Sequence, residues 1–184
     1  HLYPQQKIRT EGFEKIEKPF LNRFDLAISN IPFGDIAVFD PEYTNGSVFK
    51  KIAARKVHTY FFLKGLDAVR DGGIVAFITS QGVLDTEGNG GTRYMMMRKA
   101  DLVSAVRLPN NLFTEDANTE VGCDLIILQK NEGKEELSEE DKRLGDVVKN
   151  NHTGISTNGY FFDHPEYIIH TDAKRDTDPY GKPA

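Results

Sequence analysis

The residues Asn30-Ile31-Pro32-Phe33 follow directly on the apolar run Phe24-Asp25-Leu26-Ala27-Ile28-Ser29. Their types suit one chemistry. An exocyclic amine on an aromatic base is a poor nucleophile, because its lone pair is delocalised into the ring. A site that alkylates it must accept hydrogen bonds from both N–H groups, which draws the nitrogen toward tetrahedral geometry. The carboxamide oxygen of Asn30 can accept one of them. The main-chain carbonyl of Ile31 can accept the other. Pro32 fixes the turn and holds Ile31 extended. Phe33 offers an aromatic face on which a base swung out of its stack can rest. A carboxylate base is not required if the amine becomes acidic only as it is alkylated, because positioning and electrostatics then supply most of the acceleration. Taken alone, the four residues are a weak signal and are better read as an ordinary Asn-x-Pro turn after a strand.

The elements that must hold this turn are legible around it. Phe24 to Ser29 reads as a buried strand stopping at a Pro-bearing loop. Asp35 to Ser47, with Pro41, Asn45 and Gly46, reads as irregular. Val48 to Val69 is the best helix: Tyr60, Leu63, Leu66 and Val69 recur at helical spacing, and Asp71-Gly72-Gly73 supplies a glycine stop. Ile74 to Thr79 is a β-branched and aromatic run, read as a second buried strand. Ser80 to Thr92 reads as a loop, with its cluster Gly88 to Gly91 a mobile stretch near the substrate cleft. Its Gly88-Asn89-Gly90-Gly91 lacks the Lys-Ser/Thr ending of a phosphate loop. Tyr94 to Lys99 reads as a helix whose three methionines fill core space. Leu102 to Leu108 and Asp124 to Gln129 read as third and fourth strands. The alternation predicts an α/β domain with a mostly parallel sheet and helices on both faces. Ligands then gather beyond the carboxyl ends of the strands, where Asn30, Thr79, Ser80 and Pro109 fall.

Composition narrows the class. The chain has 184 residues, 39% hydrophobic and 28% charged, enough for one packed domain. No apolar run approaches the length of a bilayer span, and the N-terminus lacks a signal-peptide pattern, so a cytoplasmic protein without membrane contact is expected. The single cysteine, Cys123, lies in an apolar run and reads as a small buried strand residue. The five histidines are scattered, and no cluster has metal-ligand spacing. The net charge of -5 argues against a strong independent grip on DNA phosphates. Lys130 to Arg143 reads as a solvated helix or linker, with Ser138 and Asp141 spaced as a capping pair. Tyr160 to Ile169 regains apolar content and is expected to pack back on the domain. Asp172 to Ala184 reads as a tail.

Several pieces, in order, resemble a known family. The strand with Asn30-Ile31-Pro32-Phe33 is similar to the Asn-Pro-Pro-Tyr/Phe motif of amino-methyltransferases. A helix bearing His58, Phe61 and Phe62 leads into Asp71-Gly72-Gly73-Ile74-Val75-Ala76-Phe77-Ile78-Thr79, similar to the strand after the catalytic loop there. Arg107-Leu108-Pro109-Asn110-Asn111-Leu112-Phe113 resembles the Leu-Pro-x-Asn-Leu-Phe segment of type I restriction–modification methylase subunits. Thr119-Glu120-Val121 with Asp124 to Lys130 resembles the strand that follows it. Asn-Ile-Pro-Phe-Gly-Asp with Phe39-Asp40-Pro41, and the later Asn158-Gly159-Tyr160-Phe161-Phe162-Asp163-His164-Pro165-Glu166, look closest to large methylase–helicase proteins of conjugative elements and phages. The resemblance covers Ile8 to Lys130 well and the Tyr160 region loosely.

What the resemblance implies is the C-terminal portion of a Rossmann-like, S-adenosylmethionine-dependent DNA adenine-N6 methyltransferase. Asn30, Ile31, Pro32 and Phe33 would be catalytic. Asn30 and Glu14 would border the cofactor, Glu14 on a remnant, Glu11-Gly12-Phe13-Glu14, of the strand that reaches the adenine. The implied layout is a partial catalytic domain over 1–130, a charged linker or surface helix over 131–157, and an extension and tail over 158–184. The sequence departs from the family at Ile31, which stands for the first proline, and in lacking a Gly-rich cofactor loop before Asn30. The chain starts at His1 and is expected to be an excised piece, inactive alone. Its partners would be the N-terminal half of the methylase domain, helicase or specificity domains, and DNA through the parent protein. Two other readings are a non-catalytic or degenerate module acting in protein or DNA interaction, and a methyltransferase for protein glutamine or RNA.

Overall fold

In the computed structural model of the chain, residues 8–16, 18–110, 122–151 and 154–169 are described. The expected motif residues Asn111-Leu112-Phe113 and Thr119-Glu120-Val121, and the tail from Asp172, lie outside the described residues.

The four apolar runs form one sheet: β1 (Phe24–Asn30), β2 (Val69–Ser80), β3 (Ala100–Leu108) and β4 (Cys123–Lys130), in the order β1-β2-β4-β3. The β1–β2 ladder is parallel, whereas β4 runs antiparallel to both β2 and β3. Three strands therefore share one direction, but the expectation of mostly parallel pairing is corrected. The reversed strand β4 inserts between β2 and β3 instead of adding at an edge, so two of the three ladders are antiparallel. The shared direction puts the ends of β1, β2 and β3 on one rim, where Ser80 and Leu108 both pair with Cys123 at the start of β4.

Helix α3 (Val57–Ala68) joins β1 to β2 and makes the β-α-β unit on which a Rossmann-like fold depends. It packs on the face carrying Val75, Phe77 and Ile126, all buried. Gly65 allows the close approach, since a Cβ there would stand 2.9 Å from the Phe77 ring. The reverse face carries Leu26 and Ile28 of β1, Ile74, Ala76 and Ile78 of β2, and Leu125 and Ile127 of β4. Leu26 is 52% and Ile28 75% exposed. Among the described residues, helices thus cover the α3 face, and β1 is an edge strand open on its other side rather than the buried strand expected.

The long helix expected over 48–69 is two: α2 (Val48–Ala53) and α3. No glycine or proline breaks it. The break is made from outside, because Val38 N–H donates to Ala54 C=O and Val57 N–H to Ile36 C=O, each at 2.8 Å. Lys56 is accordingly extended (φ -136, ψ 122). Asp71-Gly72-Gly73 is not a helix stop but a bulge inside β2, at the register shift between Phe24 and Leu26. Gly72 takes φ +72 there, a conformation open to glycine at little cost.

Two segments expected to be irregular hold short helices. Within 35–47 lies α1 (Pro41–Thr44), begun by Asp40, whose side chain accepts from Glu42 N–H, with Pro41 in the first turn. Within 80–92 lie α4 (Gly82–Asp85), a 3-10 turn Glu87–Asn89 and the start of α5 (Gly90–Met97). Met96 and Met97 are buried, as a core-filling role requires. Beyond β4, α6 (Glu139–Gly145) carries the capping box of Ser138 and Asp141. The pair β5 (Val147–Lys149) and β6 (Ser156–Asn158) leads into α7 (Gly159–Asp163), whose Tyr160 and Phe161 are buried. This segment packs back on the domain, and Ile169 N–H donates to Arg107 C=O.

Candidate active site

Asn30 is the last residue of β1 and is paired in register with Ile78 of β2. The ladder extends one bond further, with Ile31 N–H donating to Ile78 C=O at 2.9 Å. Ile31 buries its side chain completely, so the turn is anchored by packing where the family has a first proline. Among the described residues, nothing donates to the Asn30 carboxamide oxygen or to the Ile31 carbonyl. Both acceptors stand at the strand-end rim. Pro32 is exposed and Phe33 half-buried. Gly34 follows at φ +143, which turns the chain away without Cβ strain.

Phe33 faces His58 from the first turn of α3, with ring centroids 6.3 Å apart and planes tilted by 52°. His58 reaches the end of β2, its Nδ1 2.9 Å from Thr79 Oγ1 and its Nε2 3.4 Å from Ser80 Oγ. Burial lowers its pKa, favouring the neutral ring, which pairs with one hydroxyl as donor and the other as acceptor. The sequence marked His58 only as part of a similar helix. Its place one turn into α3, opposite the strand ends, is what the fold adds.

The loop after Phe33 is held by a buried ionic cluster that sequence reasoning missed. Asp40 accepts from Tyr60 Oη at 2.6 Å and from Lys64 Nζ at 3.0 Å. Burial alone would raise the Asp40 carboxyl, but the bonds from Tyr60 and Lys64 hold it below its ordinary value. Glu42 is 3.8 Å from Lys64 and 2.9 Å from Lys50. Tyr43 Oη donates to Asp67 at 2.8 Å. An available signal was Asp40-Pro41-Glu42, the pattern of a capped helix start.

A second cluster closes the same rim. Arg107 of β3 clamps Asp124 of β4 with two bonds of 2.9 and 3.1 Å and reaches Asp85 of α4 at 2.9 Å. Burial pushes the Asp124 carboxyl up to about 6, against the pull of Arg107. Asp85 also accepts from Asn158 N–H at 2.8 Å, and the Arg107 guanidinium lies 4.4 Å from the Phe161 ring centroid. Asp85 of α4 is therefore held from both β3 and the segment before α7.

Glu14 sits in a 3-10 turn, Phe13–Lys15, not on the strand remnant expected. Phe13 stacks on Phe61 of α3 at 4.8 Å, which brings the turn to the α3 face. The four residues 30–33 are contiguous at the rim, while no contact joins Glu14 to Asn30 among the described residues. Cys123 is buried, and its thiol is pushed up to about 11 by burial, as befits an inert strand residue. Among the described residues no three His, Cys, Asp or Glu side chains gather as a metal site, and no helix is long and apolar enough to cross a membrane.

Comparison with known proteins adds an independent line. The N-6 DNA methylase family model matches residues 3–160. Defense against restriction protein B of Escherichia phage P1 is 27% identical over 134 residues, which is 70% of this chain and 6% of that protein. Among solved structures, the M protein of the type I restriction enzyme EcoKI is 21% identical with a TM-score of 0.48, over 60% of this chain and 21% of its own. A modification subunit assigned to a type I restriction enzyme of Vibrio vulnificus YJ016 is 15% identical with a TM-score of 0.49, over 88% of this chain and 37% of its own. The chain spans a small part of the length of each.

Proposed function

The chain belongs to the N-6 DNA methylase family, and from that premise we infer that it is the base-handling part of a DNA adenine-N6 methyltransferase. The observation that carries this reading is the pair of open acceptors at the end of β1. The Asn30 carboxamide oxygen and the Ile31 carbonyl have no described donor and sit beside the half-buried ring of Phe33. Two acceptors on adjacent residues can take both N–H groups of one adenine amine. Doing so localises the lone pair on nitrogen and aims it away from the ring. Phe33, backed by His58, holds the plane of the base. Pro32 and the buried Ile31 hold the Ile31 carbonyl and the backbone of Asn30 in place, so less reorganisation remains at the moment of reaction.

S-adenosylmethionine is the expected methyl donor. The described residues do not enclose it. Asn30 is exposed and shares the open face of the sheet with Ile28 and Ile78. Two surface hollows lie elsewhere, one lined by Tyr94, Arg98 and Lys134, the other by Asn22, Glu42 and Lys50. In this reading the described residues handle the amine, and the N-terminal half of the methylase domain covers the open face and supplies most of the cofactor site, with Asn30 and Glu14 at its border. Helicase or specificity domains are met through the parent protein.

Asn30→Ala is the direct test, made in a protein that also carries the segment preceding this chain. Methyl transfer to adenine in duplex DNA should fall by about 100- to 1,000-fold, as for loss of one oriented polar group at a reacting centre. Full activity in Asn30→Ala would overturn the reading. Transfer to RNA or to a protein glutamine, with none to DNA, would move the substrate class instead.

A further inference from the structure

The segment that follows Phe33 carries an exposed surface that handling of the amine does not use. Phe39 is 77% and Phe49 61% exposed, and Ile36, Val48 and Ile52 are exposed beside them. The two backbone bonds that break the 48–69 helix lay the stretch 36–39 alongside the end of α2. Loop 36–39 and the end of α2 are thus neighbours, and each segment carries exposed apolar side chains. That surface adjoins the site, since Ile36 accepts from Val57, the neighbour of the His58 that backs Phe33.

The same stretch is basic. Lys50, Lys51, Arg55 and Lys56 stand among residues 50–56 with no acid between them, in a chain of net charge -5. Lys50 is occupied by Glu42 and Asp67, and Lys56 Nζ donates to Asn89. Lys51 and Arg55 are exposed, one helical turn apart, and have no ion pair among the described residues. Exposed apolar side chains gathered on neighbouring segments mark an interaction surface. Cations beside the patch, reversed in sign from the chain as a whole, select a polyanion with apolar faces of its own.

We propose that this surface docks the duplex DNA flanking the base presented to Asn30. Lys51 and Arg55 meet phosphates, and Phe39 and Phe49 lie against sugars and base steps. The proposal rests on the methylase reading and deepens it. Apolar side chains set against base steps ease unstacking, which a base must undergo before its amine can be reached.

The test is binding of a short fluorescein-labelled duplex to the full chain across a salt series, followed by anisotropy with no methyl donor present. Lys51→Ala/Arg55→Ala should weaken binding roughly tenfold and lower the slope of log affinity against log salt by about 2, one unit for each phosphate contact. Phe39→Ser/Phe49→Ser should weaken binding severalfold and leave the slope unchanged. Lys142→Ala, an exposed cation on α6, should change neither. Wild-type affinity and slope in a folded Lys51→Ala/Arg55→Ala chain overturns the proposal. So does an equal effect from Lys142→Ala, or a wild-type chain that binds no duplex at low salt. Loss of self-association in the Phe variant with unchanged DNA binding also overturns it, because the patch is then an interface between copies. DNA docking that behaves as expected in a protein without methyl transfer would remove the enzyme reading alone.

Discussion

At the scale of single residues, the site is a matter of which polar atoms are already engaged. Ile31 spends its N–H on Ile78 and keeps its carbonyl, while His58 engages both ring nitrogens with Thr79 and Ser80. Burial lowers the His58 pKa from its ordinary value of 6.5. The unfolded chain therefore binds a proton near that pH that the folded chain refuses. The stability His58 contributes is complete above pH 6.5 and is lost as pH falls through 6.5 toward the folded value. His58→Gln should flatten the dependence of unfolding free energy on pH between pH 7.5 and pH 5.5 (a window bracketing the histidine value). Urea denaturation at both pH values measures it. Identical pH dependence in variant and wild type would show that the ring is not held neutral by its surroundings.

At the scale of elements, the loop carrying the acceptors is secured from below by α3. Lys64 and Asp40 are both almost fully buried at 3.0 Å, with Tyr60 completing the carboxylate's shell. Lys64→Met would keep the stem packed but leave Asp40 charged and short of its cation. Removing one member of a buried pair costs about 3 kcal/mol or more. For a chain of this length that amounts to a fall in Tm of roughly 6–12 °C, read by thermal denaturation. A Tm within a degree or two of wild type would mean that Tyr60 and the Glu42 N–H suffice. This cluster also shows where sequence stops informing. The strands were legible because β-branched and aromatic residues run unbroken between turn residues. The tetrapeptide 30–33 was legible because it abuts such a strand. The break at residues 54–56 was not, since its cause is two hydrogen bonds from a loop some twenty residues upstream. Gly72-Gly73 looked like a helix stop because a glycine pair serves a bulge equally well. The Lys64–Asp40 pair was not legible, because its two members come together only through the fold. The insertion of β4 between β2 and β3 was hidden because apolar content does not reveal a strand's direction.

At the scale of the whole molecule, the reverse face of the sheet is left open by the described residues. Apolar composition identified β1 as a strand, but only the fold shows that Leu26, Ile28 and Asn30 share an uncovered side. Two consequences separate a face that is merely solvated from one that receives the preceding half of the methylase domain. In this chain, Ile28→Lys should change stability by about 1 kcal/mol or less, the size of a β-propensity effect at an exposed edge position. In a protein that carries the preceding segment, the same lysine would be forced under a packed layer. Burying an uncompensated charge there should cost about 2 kcal/mol or more. Differential scanning calorimetry of both pairs measures the contrast, and titration of S-adenosylmethionine into the same samples adds a second readout. Tight donor binding by the longer protein alone, weakened by Ile28→Lys, is the expected result. An equal small effect of Ile28→Lys in both lengths would leave β1 a solvent-facing edge and place the donor site elsewhere.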